Sequence, residues 1–275
     1  MVPVSVLINS FDGYSDCWVP VCHGFTKYWR DCPYPIFLMM NTKDFRHERI
    51  NTLRVGGGRD WSGEVREALD RIETPYVMYF QEDYWINEPV DTVRVTSYVA
   101  LMEKYGLNYI RLLSKPAPDY DFTHDSRLGV LAEEAEYRTS VQISIWRRQV
   151  FLSLIRPGES VWDFEINGTT RSRSYGETFL STKRHGKDDY YHGIRYVCTA
   201  INQGKWATAA KVYARSEGLT VDFSRLPCET WWDDFKRGNA LGRFLGLWLH
   251  RARFLINDPA AAIQKVRDRS LSRGK

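Results

Sequence analysis

Apolar and polar positions come in blocks along the first 110 residues. Residues 3–9 (PVSVLIN), 34–40 (YPIFLMM) and 76–80 (YVMYF) are short apolar runs rich in branched and aromatic side chains, and each gives way to polar residues. Runs of this length read as strands buried on both faces. Between the first two, Trp18, Val21, Cys22, Phe25, Tyr28 and Trp29 recur at helical spacing, which predicts a helix over 16–29 ended by Asp31-Cys32-Pro33. Val65, Ala68, Leu69 and Ile72 repeat that pattern, with Ser62 as the expected N-cap and Thr74-Pro75 as the break. Strand, helix, strand, helix, strand is the order of a doubly wound, mostly parallel sheet.

Further along, the pattern predicts a helix over 90–105, strands over 109–113 and 138–146, and a short helix over 149–155. It then gives a helix over 195–203 and a closing strand over 206–212. Residues 114–127 read as a polar loop, and 156–193 as a long polar one carrying Arg171, Arg173, Lys183, Arg184 and His185. A loop of that length inside a domain is usually functional. The expected division is an α/β domain over 1–215, with halves at about 1–110 and 111–215, followed by a helical extension over 216–275.

Composition changes this picture little, and charge changes it more. The chain has 275 residues, 43% of them hydrophobic and 26% charged, an ordinary globular balance. Its net charge of +4 is uneven: Lys236 to Lys275 hold ten Lys and Arg against two Asp, a net +8, which leaves −4 for residues 1–235. That tail carries an apolar stripe at helical spacing (Leu241, Phe244, Leu245, Trp248, Leu249, Ala252, Leu255, Ile256) flanked by Arg243, His250, Arg251 and Arg253. Such a helix fits an anionic membrane surface, and equally a packed or dimeric helix. No nucleic-acid reader motif accompanies the charge. The scattered Cys17, Cys22, Cys32, Cys198 and Cys228 form no zinc pattern, and a reducing cytosol is the simplest compartment. The first residues lack the basic and apolar regions of a signal peptide, and no apolar run is long enough to span a membrane.

The chemistry concentrates after the third strand, where Gln81-Glu82-Asp83 puts two carboxylates at the carboxyl end of a buried run. Open α/β sheets bind ligands at that edge, and a carboxylate there can hold a divalent cation against a diphosphate. The bland reading is a solvated strand end. Gly56-Gly57-Gly58-Arg59, running into Trp61-Ser62, offers backbone N–H groups, a helix N-terminus and a cation to phosphate, or else a flexible turn.

Taken together, the chain resembles a GT-A type glycosyltransferase, in particular the bacterial transferases of surface-polysaccharide (lipopolysaccharide and capsule) assembly. The resemblance rests on the Asn9-Ser10-Phe11-Asp12 loop, DCW at 16–18, YWRDCPYPIFL at 28–38, RDWS at 59–62, ALDRIETPYVMYFQEDYW at 68–85 and SVWDFE at 160–165, and it covers roughly 1–215. It implies a GT-A-like, Rossmann-type sheet flanked by helices, and transfer of a sugar from a nucleotide-sugar donor to a hydroxyl of a glycan or lipid-linked acceptor. It further implies inversion at the anomeric carbon, dependence on Mn²⁺ or Mg²⁺, and a cytoplasmic enzyme peripheral on the inner face of the membrane. The metal motif departs from the family pattern, since Gln81-Glu82-Asp83 stands where Asp-x-Asp or Asp-Asp is usual. Asp83 carries over as metal ligand, Glu82 stands in for the first acidic residue, and His192 is a second candidate ligand. Asn9, Ser10 and Asp12 become candidates for the base and ribose unless they simply form a turn; Arg59, Trp61 and Ser62 become candidates for the diphosphate. Asp163 is the first candidate for the general base and Glu165 the second. In an extended segment both would share a face; in a helix cap only one would reach the site. Two other functions fit the same features: a nucleotidyltransferase that makes nucleotide-sugars, and a carbohydrate-binding protein that uses the many aromatics. Against the first, the Asn-Ser-Phe-Asp-Gly loop lacks a basic, glycine-rich signature.

Overall fold

The computed structural model describes residues 3–57, 60–184, 193–230 and 233. Arg59, His192, the tail over 239–275 and most of the expected C-terminal extension lie outside the described residues.

The elements follow the apolar blocks. Strand β1 (Val4–Asn9) leads to helix α1 (Trp18–Tyr28), β2 (Ile36–Met40), β3 (Asn51–Arg54), α2 (Trp61–Arg71) and β4 (Tyr76–Gln81). Then come β5 (Trp85–Ile86), α3 (Thr92–Tyr105), β6 (Tyr109–Arg111), β7 (Tyr120–Asp121), β8 (Leu128–Val130), β9 (Ser144–Arg147) and α4 (Arg148–Leu154). A helical stretch runs from α5 (Val161–Asp163) through a π-turn (Phe164–Gly168) into α6 (Thr169–Ser172). Strands β10 (Phe179–Thr182), β11 (Tyr196–Val197), β12 (Ile201–Asn202), β13 (Lys205–Trp206) and helix α7 (Thr208–Ser216) follow.

Nine strands form the main sheet in the order β3-β2-β1-β4-β9-β6-β10-β8-β7. Strands β1 to β4 pair in parallel, β9 runs against both β4 and β6, and β10 is parallel to β6. Alternation along the strands feeds two cores. Val6 and Ile8 of β1 and Met78 and Phe80 of β4 face α1 and α3, whereas Leu7, Val77 and Tyr79 face α2 and α4. Burying each such side chain stabilises the fold by roughly 1.5–3 kcal/mol, which explains the apolar runs on both faces. This is the doubly wound, mostly parallel α/β sheet the sequence predicts.

Helix α1 approaches β5 closely. A Cβ on Gly24 would lie 2.9 Å from the Ile86 nitrogen and 3.0 Å from its carbonyl oxygen, so only glycine lets the two backbones touch. At the far end of the described chain, Glu217 clamps α7 to α1. Lys27 Nζ (2.6 Å) donates to Oε2, His23 Nε2 lies 2.7 Å from the same oxygen, and the Tyr28 hydroxyl (2.6 Å) donates to Oε1.

Five local expectations are corrected. Asp60, not Ser62, caps α2: its carboxylate accepts from Gly63 N at 2.8 Å, because the helix begins at Trp61. The polar loop over 156–193 instead contains the helical stretch 161–172 and the buried strand β10, which slots between β6 and β8. Two short strands, β11 and β12, replace the helix over 195–203, the first pairing with β5 and the second with β13. The segment over 206–212 turns from β13 directly into α7, and of the 138–146 segment only residues 144–146 are strand, part of β9.

Candidate functional site

The crevice follows from the winding. Helix α1 leaves β1 on one face of the sheet, α2 enters β4 from the other, and β1 and β4 are neighbours, so their carboxyl ends open between the two layers. Register sets the two ends level. Asn9 pairs with Gln81, the Asn9 amide donates to Gln81 Oε1 at 3.3 Å, and Glu82 N donates to Asn9 O at 3.1 Å.

Glu82 and Asp83 sit on the turn that follows. Glu82 is only 5% exposed, and its buried Oε2 has no hydrogen-bond partner. Burial, and next the charge of Asp83, push its carboxyl well above the usual range. Asp83 keeps some surface, yet burial raises it to about 7 against the opposing hydrogen bonds from Ile201 N–H, its own N–H and the Thr199 hydroxyl. Two adjacent carboxylates with an orphaned oxygen form a centre short of positive charge, and that fits a divalent cation. Among the described residues no three His, Cys, Asp or Glu side chains gather as a metal cage, so water or substrate oxygens would complete the shell.

The loop after β1 is built differently. Asp12 bridges to the end of β2: Oδ1 accepts from Asn41 N at 2.9 Å, and Oδ2 accepts from Thr42 N, the Thr42 hydroxyl and Lys43 N at 2.7–2.9 Å. Asp12 N in turn donates to Asn41 Oδ1. Partial burial raises this carboxyl, but the hydrogen bonds from Thr42, Asn41 and Lys43 outweigh it and hold the group down at about 2. Ser10 Oγ accepts from the Trp18 indole at 2.7 Å. Ser62 donates to Asp60, and the Trp61 indole donates to the Tyr79 hydroxyl at 3.1 Å with its ring 5.2 Å from Phe164. Of these candidates, Asn9 lies beside the carboxylates with its amide on Gln81, and Ser10, Asp12, Trp61 and Ser62 have their side chains engaged in local bonds.

The SVWDFE segment resolves as helix. Ser160 and Asp163 form a capping box, with Asp163 Oδ2 accepting from both the Ser160 amide and hydroxyl at 3.0 and 2.6 Å. Glu165 turns inward and is 7% exposed; its Oε1 accepts from the Ser140 hydroxyl at 2.9 Å and Val141 N at 3.0 Å. Burial raises its carboxyl, against those two bonds and the charge of Arg111. Because β9 is antiparallel to β4 with Tyr79 opposite Ser144, residues 140–143 run beside the carboxyl end of β4. Glu165 therefore reaches the same sheet edge as Glu82 and Asp83. Burial and then the charges of Glu82, Glu165 and Asp83 push the enclosed Tyr79 phenol well up.

Several residues at this edge escaped the sequence reading. Gln142 accepts from the Tyr196 hydroxyl at 2.9 Å, and Tyr196 lies against Tyr84 with ring centroids 4.8 Å apart. Asn41 donates to the buried Glu64 at 2.7 Å. Thr199 backs Asp83 from a segment that pairs with β5 only in three dimensions, so no local signal could have found it.

No protein-family model matches this sequence, and no curated protein sequence does. Among solved structures, the chain is similar to S. aureus TarS 1-349 in complex with UDP-GlcNAc (10% identity, TM-score 0.43, covering 68% of this chain and 60% of that one). It is also similar to a UDP-glucose pyrophosphorylase complexed with UDP-glucose (10%, TM-score 0.47, 68% and 92%). A third is 2-C-methyl-D-erythritol 4-phosphate cytidylyltransferase from Thermus thermophilus (12%, TM-score 0.45, 78% and 98%). The chain spans about 58% of the length of TarS 1-349. Likenesses at this level carry no argument about chemistry. No described helix is long and apolar enough to cross a membrane.

Proposed function

We propose that the chain is a glycosyltransferase that moves a sugar from a nucleotide-sugar to a hydroxyl of a glycan or lipid-linked acceptor, with inversion. One observation carries this reading. Two adjacent carboxylates, one with an unpartnered buried oxygen, sit at the crevice between β1 and β4, and a third carboxylate, Glu165, reaches the same edge from a distant segment. This supports a division of two tasks: a cation held by the first two would neutralise a diphosphate, and the third would take a proton.

Asp83, with Glu82 beside it, would hold the divalent cation, which when bound supplies positive charge to the departing diphosphate. Glu165 is the base of this proposal. It accepts the acceptor hydroxyl's proton while that oxygen forms its bond to the anomeric carbon and the bond from that carbon to phosphate oxygen breaks. The choice reverses the order expected from sequence, because the Asp163 carboxylate is tied into its helix cap whereas Glu165 is buried with a raised carboxyl. Asn9 is left to face the nucleoside, and the attachment of residues 239–275 to anionic membrane remains part of the proposal.

The test is product identity. Full-length protein incubated with Mn²⁺ and a panel of nucleotide-sugars should release nucleoside diphosphate. Formation of pyrophosphate from nucleoside triphosphate and sugar 1-phosphate would move the assignment to a nucleotidyltransferase. Neither product from any donor would sink both.

A further inference from the structure

Against residues 198–202, which bond to the Asp83 turn, lies an open groove of about 450 Å³. Its walls come from three backbone segments that the fold ties together. Residues 198–202 return along the Asp83 turn, with Ala200 N donating to Asp83 O at 2.9 Å. Ala207 N donates to Ala200 O at 2.8 Å and brings in the start of α7. Trp206 N and O bond to Pro227 O and Glu229 N, each at 2.8 Å, and so place Glu229 on the third side. The volume suits a small ligand, and the walls are preformed.

The lining is polar without positive charge. It consists of Thr208, Asn202, Glu229, two alanines, the exposed Cys198, and Thr199, whose hydroxyl donates to Ile201 O at 2.6 Å. Among the described residues no Lys or Arg lines it. A phosphate would find no cation in that lining, whereas a neutral polyol would find acceptors and donors for its hydroxyls and methyl groups for its C–H face. The groove also shares Thr199 with Asp83, which puts it within one side chain of the carboxylate pair.

We infer that this groove is a binding site for a neutral sugar unit of the acceptor. The assignment to the acceptor rests on the glycosyltransferase reading; sugar binding itself does not. Cys198 on the rim is the reporter. Buried Cys17 and Cys22 and half-buried Cys32 and Cys228 should react more slowly with iodoacetamide.

The experiment follows alkylation of Cys198 in the full chain by peptide mass spectrometry, with Cys32 as the distant control. Probes are methyl glycosides of neutral hexoses and N-acetylhexosamines, and UDP alone. At ten times its dissociation constant, a glycoside that fills the groove should slow Cys198 labelling by about tenfold and leave Cys32 unchanged. Asn202→Ala and Thr208→Val, each checked for native circular dichroism, should both weaken that protection. The site is overturned if no glycoside protects wild-type Cys198, or if UDP protects it as well as any glycoside, since the groove would then serve the nucleotide. Protection by glycosides without nucleoside diphosphate release from any donor keeps the groove and removes the transferase. Release of nucleoside diphosphate without protection keeps the transferase and removes the groove.

Discussion

Two strand ends in this molecule carry acidic residues and treat them in opposite ways. After β1, Asp12 collects four hydrogen bonds from the end of β2, and its carboxyl is held down at about 2. After β4, Glu82 and Asp83 are pushed up by burial, and one oxygen is left without a partner. The first arrangement is complete and stabilises the loop that it spans. The second is incomplete without added positive charge. A carboxylate at the ligand-binding edge of an α/β sheet is thus not by itself a site; its partners decide. The same contrast recurs between Asp163, closed in a capping box, and Glu165, buried and raised.

The largest effect should come from Glu165. Glu165→Gln should lower sugar transfer by about 10²–10⁴-fold with nucleotide binding intact, the usual loss for a general base. Asp163→Asn should leave turnover within a fewfold of wild type while weakening the helix cap by about 0.5–2 kcal/mol. Turnover and thermal melts of both variants settle the order, and a catalytic collapse confined to Asp163→Asn would restore the ranking read from sequence.

Next in size is Asp83→Asn. The fold should persist, but Mn²⁺ should no longer strengthen binding of a nucleoside diphosphate, a loss of about 100-fold if the ion contributes a few kcal/mol. Titration calorimetry with and without Mn²⁺ measures it; equal affinities in wild type under both conditions would remove the metal from the proposal.

The two strand ends should also separate by pH. Asp83 titrates near 7 when folded and near 3.8 when unfolded, so the folded chain binds the extra proton between those values. Without cation, stability should therefore fall as pH rises from about 4 through about 7, and the raised Glu82 carboxyl, which has the same sign, should carry the fall further. Asp12 has the opposite sign: its contribution is full above 3.8 and disappears as pH falls through about 2. Thermal melts from pH 2 to 8 should show both slopes, with Mn²⁺ raising the melting temperature more at pH 8 than at pH 5. Asp83→Asn should reduce the upper slope, leaving the share of Glu82, and should not touch the lower one.

The smallest effect is Asp12→Ala. Its bonds lie near solvent, so the cost should be about 1–2 kcal/mol, or roughly 2–6 °C in melting temperature for a chain of this size. A loss of nucleotide affinity larger than the loss of stability would return Asp12 to the binding site.

The sequence exposed this contrast only in part. The β1 and β4 runs are apolar on both faces, so their strands, and hence the carboxylate edge, were readable. The β10 strand is four residues of Phe-Leu-Ser-Thr among polar neighbours, too short for a period to declare itself. The β11, β12 and β13 strands are two residues each and exist through their pairing partners. Asp12 looked like a ligand for ribose because its partners, Asn41 to Lys43, are about 30 residues away. Spacing alone placed Asp163 and Glu165 together but could not choose between them, because the choice depends on whether the segment coils.

The contact between Gly24 and Ile86 makes the site vulnerable to a purely mechanical lesion. Strand β5 begins two residues after Asp83, and nothing separates its backbone from that of α1. A single methyl at position 24 would act as a wedge, prising β5 outward and tilting the turn that aims the carboxylates, although every polar group kept its chemistry. Misplacement by about 1 Å can cost a reaction around 10²-fold. The tolerance of the candidate site is thus set partly at the contact between α1 and β5, by a residue with no side chain at all.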